Sequence, residues 1–302
     1  MKMQISFLVG TLALAAAAPA SAAIKVLACE PEWAALVQEL GGDKIDVVSA
    51  TNALQDPHQV QAKPSLIARA RNAELLACTG AGLEVGWLPI LLQQSGNPAI
   101  QPGKPGHFMA GDYVQKLDVP TRVDRAEGDV HPEGNPHIQT DPRNIARVAV
   151  ALSQRLAQID GANQAYYKQR GDDFNKRWSD AMVRWQTQAA PLRGTAIVVQ
   201  HKAWSYLENW LGMQDVEALE PKPGVEPTAS HLQEVLVKLK DRPAQMVVYA
   251  AYQDPRASQW LSERAHIETV QLPFTVGGTP AAKDLFGLFD DTIARLLKGA
   301  GK

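Results

Sequence analysis

Short apolar runs alternate with helical patterns along most of this chain. The runs Ile24–Ala28, Ile45–Ser49 and 74–78 have the length and apolar character of buried β-strands, and helical patterns follow them. This rhythm predicts an α/β fold, in which helices cover both faces of parallel sheets. Further strands are predicted at 113–117, 195–200, 216–219, 246–250 and 268–272.

The middle of the chain has a long helical pattern. Asp141 and Pro142 are a typical helix start, and a second helix is predicted over 162–189. It would be about 40 Å long, enough to run through two lobes. Four large apolar side chains share one face of it: Phe174, Trp178, Met182 and Trp185. We therefore predict two lobes, at 23–161 and 190–302, joined by the helix at 162–189.

The N-terminal residues have the pattern of a secretory signal peptide. Lys2 precedes an apolar run over 5–18, and the small residues at 19–22 predict cleavage after Ala22. A membrane anchor is the alternative, but the run is too short to cross about 30 Å of hydrocarbon. A lipoprotein cleavage box ending at Cys29 is a weaker alternative, because Lys25 interrupts the apolar run. We expect an exported protein with residues 1–22 removed.

Composition indicates the class of protein and the partners that it lacks. The chain has 302 residues, 45% of them hydrophobic and 21% charged, with a net charge of −2. These values are typical of a soluble globular protein and indicate no nucleic-acid partner. We expect a monomer. The two cysteines, Cys29 and Cys78, permit one disulfide in an exported chain, and free buried thiols are the alternative.

Three of the seven histidines stand where metal ligands are expected. His58 and His201 each follow a predicted strand. All three histidines, His137 included, precede a predicted helix. The carboxyl ends of parallel strands are where α/β proteins bind ligands. Imidazole suits zinc, copper, nickel and iron better than calcium or magnesium. His107, His231 and His266 lack such a context.

The sequence around these histidines resembles the zinc/manganese class of ABC-transporter solute-binding proteins. Asp56-Pro57-His58 matches its first motif, and His137 followed by Asp141-Pro142 matches its second. The third motif consists of histidine, any residue, alanine, an aromatic residue, any residue and tyrosine. Residues 201–206 match it in full. The resemblance covers nearly all of the mature chain.

The resemblance implies a function. A periplasmic protein of this class captures Zn²⁺ in a cleft between two lobes and delivers it to an ABC permease in the membrane. His58 and His137 would come from the first lobe and His201 from the second. Three histidines usually accompany zinc in this class, whereas manganese members tend to replace one with a carboxylate.

The fourth metal ligand is left open by the sequence. The class usually supplies an aspartate from a loop after a late strand, but residues 272–278 contain no carboxylate. Water, Glu30 and Asp254 are the candidates. The acidic segment 127–133, which contains His131, is a remnant of a metal-collecting loop or a solvated loop.

Other functions remain alternatives. Three histidines with water are also the pattern of a catalytic zinc, so a zinc hydrolase is an alternative. No HExxH or GxSxG motif accompanies them, and we expect no enzyme. The same fold with manganese or another transition metal, or an adhesin or metal sensor of this architecture, are further alternatives.

Overall fold

A computed structural model of the chain describes residues 22–122, 128 and 130–302. The predicted signal peptide, apart from Ala22, lies outside the described residues. Within them, no helix combines the length and the apolar character needed to span a membrane.

The first sheet is built from the N-terminal part of the chain. All its strand pairs are parallel, as the continuous apolar runs predict. The strands are β1 (Ile24–Ala28), β2 (Ile45–Ser49), β3 (Leu75–Cys78) and β4 (His107–Met109), in the order β2-β1-β3-β4. The flanking helices are α1 (Pro31–Gly41), α2 (Pro64–Asn72) and α3 (Leu88–Ser95).

The second sheet repeats this order with the C-terminal strands, again all parallel. They are β5 (Ala196–Val199), β6 (Gln214–Ala218), β7 (Met246–Ala250) and β8 (Glu268–Leu272), in the order β6-β5-β7-β8. Its helices are α6 (Ser205–Leu211), α7 (Ala229–Lys238), α8 (Arg256–Ala265) and α9 (Leu285–Gly299). The predicted fold class, two parallel sheets with flanking helices, is confirmed.

Two long helices, α4 (Pro142–Ile159) and α5 (Gln164–Gln188), lie between the sheets in sequence. The apolar stripe of α5 packs on α9, where Trp178 and Trp185 both contact Phe289. Gly171 lies where α5 meets α4, because a Cβ there would come within 2.5 Å of Ser153 Oγ. One continuous core therefore contains side chains from both sheets and from α5. The exact lobe boundaries stay a prediction.

The strand predicted at 113–117 is wrong. β4 lies at His107–Met109 and pairs with β3, and the residues that follow it form a 3₁₀ turn. Gly106 permits this pairing, because a Cβ there would come within 2.4 Å of the Ala99 carbonyl oxygen.

The two cysteines form a disulfide between Cys29 and Cys78, at the carboxyl ends of the adjacent strands β1 and β3. The structure therefore has a disulfide and not the two free buried thiols that were the alternative. Because Cys29 is bonded to sulfur, its thiol is not available for a lipid.

Candidate metal centre

The three predicted histidines converge in space. One ring nitrogen from each of His58, His137 and His201 lies within 4.8 Å of the other two. His137 is 1% exposed and His201 is 7% exposed, so both imidazoles are buried. Their 79- and 64-residue separations in sequence carry no local signal, and only the fold brings them together.

The spacing of two donors fits a small tetrahedral cation. His137 Nε2 and His201 Nε2 are 3.3 Å apart. Two nitrogens bound to one Zn²⁺ at about 2.0–2.1 Å, with a tetrahedral angle between them, are separated by about 3.3 Å. The two nitrogens are therefore at the distance that such an ion requires.

His58 is oriented by a neighbour in its own motif. It lies in the loop between β2 and α2, and its Nδ1 is 2.8 Å from Asp56 Oδ1, which also accepts from the His58 backbone N–H. An ionised carboxylate can only accept, so Nδ1 carries the proton and Nε2 is left as the metal donor. Trp87 Nε1 donates to the Pro57 carbonyl and fixes the loop on the first lobe.

His201 is oriented by a carboxylate that the sequence analysis missed. It follows β5, and its Nδ1 is 2.7 Å from Glu220 Oε2. Glu220 lies just after β6, the strand that pairs with β5, and its carboxylate also accepts from the Gly224 backbone N–H. The same reasoning assigns the proton to Nδ1 of His201. Glu220 could have been identified from its place in the sequence. It is an acidic residue just after a strand, and the neighbouring strand leads to a histidine.

His137 lacks a carboxylate partner among the described residues. Its Nδ1 is buried without a hydrogen bond, and its ring instead contacts Phe274 edge to face, with centroids 5.4 Å apart. Burial lowers the pKa of His137 well below its ordinary value, and charges on His58, His201 and His131 lower it further. Neutral imidazole is the form that binds a metal.

The loop that carries His137 is fastened to the second lobe. Tyr206 Oη donates to the Asn135 carbonyl oxygen, and Asn135 Nδ2 donates to the Lys202 carbonyl oxygen. Asn135 Oδ1 accepts from the His137 backbone N–H. The tyrosine that ends the third motif therefore positions the second motif.

Neither carboxylate candidate for the fourth ligand joins the three histidines. Across the part of the chain that the structure describes, no Asp or Glu oxygen completes their group. Asp254 forms an ion pair with Arg256 at the start of α8, where it also accepts from the Arg256 backbone N–H. Glu30 is buried, where Thr79 Oγ1 donates to its carboxyl group. Water remains the candidate for the fourth position.

Glu30 belongs to a separate group of three buried acids in the first lobe. Burial, followed by the charges of Glu84 and Glu32, raises the pKa of Glu30 well above its ordinary value. Burial also raises the pKa values of Glu32 and Glu84 to about 7. Glu32 Oε2 accepts a 2.5 Å hydrogen bond from Thr275 of the second lobe, so this group connects the lobes.

Cys29, Cys78 and Glu84 also lie close enough together for one ion. Because the two sulfurs are joined in a disulfide, they offer no thiolate, and this second group is not a metal site as it stands.

Two cavities flank the three histidines. One, of about 690 Å³, is lined by His131, His137 and His201. The other, of about 640 Å³, is lined by Asp56, His58, His201, Glu220 and Tyr252. His131 is also close to His58, with ring centroids 5.4 Å apart. Of the acidic segment that contains it, residues 127 and 129 lie outside the described residues.

Comparisons with known proteins find relatives that are named for metal transport. The high-affinity zinc uptake system protein ZnuA of Yersinia pestis is 23% identical over 209 residues, covering 62% of this chain and 63% of that protein. The manganese ABC transporter substrate-binding lipoprotein PsaA of Streptococcus anginosus is 21% identical over 257 residues, covering 83% of this chain and 80% of that protein.

Solved structures share the fold. A crystal structure of ZnuA superposes with a TM-score of 0.74 at 19% identity, over 92% of this chain and 98% of that one. A manganese-bound periplasmic metal-binding protein from Candidatus Liberibacter asiaticus gives a TM-score of 0.73 at 14% identity, over 90% and 98%.

The family follows from a match along most of the chain. Residues 26–299 match the profile of the ZnuA family, described as the periplasmic component A of the zinc-uptake complex. The resemblance drawn from the three histidine motifs is thereby confirmed. This chain belongs to the ZnuA family of metal-binding subunits of ABC transporters, which bind a metal ion for a membrane permease and are not enzymes.

Proposed function

We propose that this protein captures Zn²⁺ in the periplasm, through His58, His137 and His201, and delivers it to an ABC permease. The observation that carries the proposal is the convergence of three imidazoles, with two of their Nε2 atoms 3.3 Å apart. Export through the signal peptide at 1–22 belongs to the same proposal.

The ligand chemistry favours zinc over manganese. Three neutral imidazoles without a carboxylate suit zinc, whereas manganese prefers oxygen donors and six-coordinate geometry. Asp56 and Glu220 supply negative charge through two of the imidazoles, which raises the basicity of these ligands without adding oxygen to the metal.

Manganese is the second candidate, because relatives named for manganese transport cover most of the chain. A competition experiment tests the manganese candidate through displacement of Zn²⁺, because most sites bind Zn²⁺ more tightly than Mn²⁺. Under the zinc proposal, excess Mn²⁺ does not displace an equivalent of Zn²⁺ from the protein. Displacement at comparable concentrations would favour the manganese candidate.

The proposal is tested by titrating the chelator-stripped protein with each metal by calorimetry. We expect one tight Zn²⁺ site, and we expect His201→Ala to weaken it by more than about 100-fold, since loss of an outer partner alone costs about 10–100-fold. His266→Asn is the matched control, because His266 is exposed and has φ +54°, a conformation that Asn tolerates. Absence of a tight Zn²⁺ site in the unmodified protein would contradict the proposal.

A further inference from the structure

The disulfide of the first lobe lies beside one of the buried acids. Cys29 Sγ, Cys78 Sγ and a carboxylate oxygen of Glu84 all lie within 4.8 Å of one another. Both cysteines are fully buried, and Glu84 is 2% exposed. Zinc binds sulfur at about 2.3 Å and carboxylate oxygen at about 2.0–2.2 Å, so three donors at this separation can reach one ion with little movement. The sulfur–sulfur bond is what makes the two sulfurs unavailable to a metal.

The Glu84 carboxylate is held by the turn that follows Cys78. Its Oε1 accepts from the Thr79 backbone N–H at 2.7 Å, and its Oε2 accepts from the Gly80 backbone N–H at 3.0 Å. An ionised carboxylate has about four lone-pair sites, so these bonds leave acceptor capacity for a metal. Hydrogen bonds of this kind also orient the carboxylates that bind metals. One of the three donors is therefore positioned by the backbone, whatever the oxidation state of the sulfurs.

A second acid beside Glu84 has an unused oxygen. Glu30 follows Cys29 directly, it is 3% exposed, and its Oε1 makes no hydrogen bond with any described residue. Burial raises the pKa of Glu30, and the charge of Glu84 raises it further, because the two carboxyl groups are close together. No lysine or arginine is among the buried residues in the part of the chain that the structure describes. The acids therefore lack a buried positive charge, which a divalent ion would supply.

This group of donors is enclosed, unlike the three histidines. Cys29, Cys78 and Glu84 line neither of the two cavities beside the histidines. Closed sites with thiolate ligands are typical of structural zinc, and soft thiolates select zinc over manganese. An ion bound here is therefore expected to be part of the fold and not a second cargo ion.

We propose that Cys29, Cys78 and Glu84 bind a second Zn²⁺ when the two cysteines are reduced, and that formation of the disulfide closes this site. The inference does not depend on the three-histidine site. A dithiol that reduces the bond supplies two electrons and two protons, which gives two thiols, and the dithiol becomes its own disulfide. Zn²⁺ then replaces the two thiol protons, which pass to the solvent.

The first test separates this site from the histidines. His201→Ala is reduced with dithiothreitol, desalted without oxygen and titrated with Co²⁺ as a spectroscopic probe. We expect one equivalent of Co²⁺ to produce the near-ultraviolet charge-transfer absorption of thiolate-bound cobalt, and we expect the oxidised variant to lack it. Circular dichroism monitors the fold. Absence of this absorption in the reduced, folded variant would overturn the inference. If reduction unfolds the variant, one equivalent of Zn²⁺ should restore the fold, and failure to do so would overturn it equally.

The second test asks whether the carboxylate is a ligand. In the reduced His201→Ala protein, Glu84→Gln keeps the size of the side chain but removes the charged donor. We expect it to weaken Co²⁺ binding by about tenfold or more. Glu263→Gln is the matched control, because Glu263 is exposed, and it should leave the affinity unchanged. Equal affinities in the two variants would mean that the thiols bind the metal without the site, which contradicts the inference.

A third measurement needs no variant. The chelator-stripped protein is titrated with Zn²⁺ in its oxidised form and again after reduction. We expect one equivalent to bind tightly to the oxidised protein and two to the reduced protein. An unchanged stoichiometry after reduction would overturn this inference and leave the proposed function intact. Absence of the tight site from the oxidised protein would instead contradict the proposed function.

Discussion

The two sheets have the same strand order but use equivalent strands differently. In the first lobe, the edge strand β2 leads to His58, and the central strand β1 leads to the disulfide and the buried Glu30. In the second lobe, the central strand β5 leads to His201, and the edge strand β6 leads to its partner Glu220. Topology thus specifies at which sheet edge the candidate site lies, but it does not specify which strand leads to a candidate ligand.

The largest expected effect concerns the cross-link, which has no equivalent in the second lobe. Cys29 and Cys78 are 49 residues apart and buried. Replacing both by alanine frees a loop of that length in the unfolded chain, so the free energy of unfolding is expected to fall by roughly 4 kcal/mol. Denaturant titration measures this.

The unmodified protein supplies the control for the cross-link. Unfolding it with and without a reductant separates loss of the bond from loss of the buried sulfur atoms, and the reductant is expected to leave the alanine variant unchanged. Equal unfolding midpoints for the variant and the oxidised protein would show that the bond does not stabilise the first lobe.

The next effect concerns the group of three buried acids in the first lobe, Glu30, Glu32 and Glu84. Burial raises the pKa of Glu32 from 4.5 to about 7. The folded protein therefore keeps a proton that the unfolded chain releases above pH 4.5. The resulting stability is fully present below that pH and is lost as the pH rises through about 7.

Glu32→Gln keeps the neutral form at every pH. Between about pH 5 and about pH 8, its free energy of unfolding should fall by roughly 2 kcal/mol less than that of the unmodified protein. Glu263→Gln, which changes an exposed carboxylate, is the control. If all three proteins have parallel pH profiles from denaturant titration, the pKa of Glu32 is not raised in the folded state.

The smallest effect compares the two ligand supports, one from each lobe. Glu220→Gln and Asp56→Asn each replace the carboxylate that accepts from a histidine Nδ1. Either change should lower Zn²⁺ affinity about tenfold, as is usual for such partners, and Glu220→Asp should restore part of the loss. Competition with a chelator dye measures it. Unchanged affinity in both would mean that packing alone orients the imidazoles.

The sequence was sufficient for the elements whose pattern is local. Ile24–Ala28, Ile45–Ser49 and Met246–Ala250 were predicted with their observed bounds, because continuous apolar runs of that length bury both faces of a strand. The strand predicted at 113–117 failed because β4 is only three residues long. Such a short strand depends on pairing with β3 more than on its own pattern.

The residues of the candidate site show the same difference between local patterns and long-range contacts. His58, His137 and His201 could be predicted as metal ligands because motifs surround them. Glu220 and Phe274 have no motif, and their positions depend on strand pairing and on an aromatic group assembled from distant segments. Tyr206 could be recognised in the sequence as part of the third motif, but its hydrogen bond across the lobes could not be predicted.

The core that α5 shares between the lobes has a consequence for metal release. A continuous apolar core cannot be parted without exposing buried aromatic rings such as Trp178 and Trp185, and exposing them to water is costly. We therefore expect discharge of the ion to proceed by local loosening of the loops at 50–63 and 272–278, with the scaffold intact. The rate of unloading would then depend on what a docked permease does to these loops, and thermodynamic affinity would be a poor guide to transport rate.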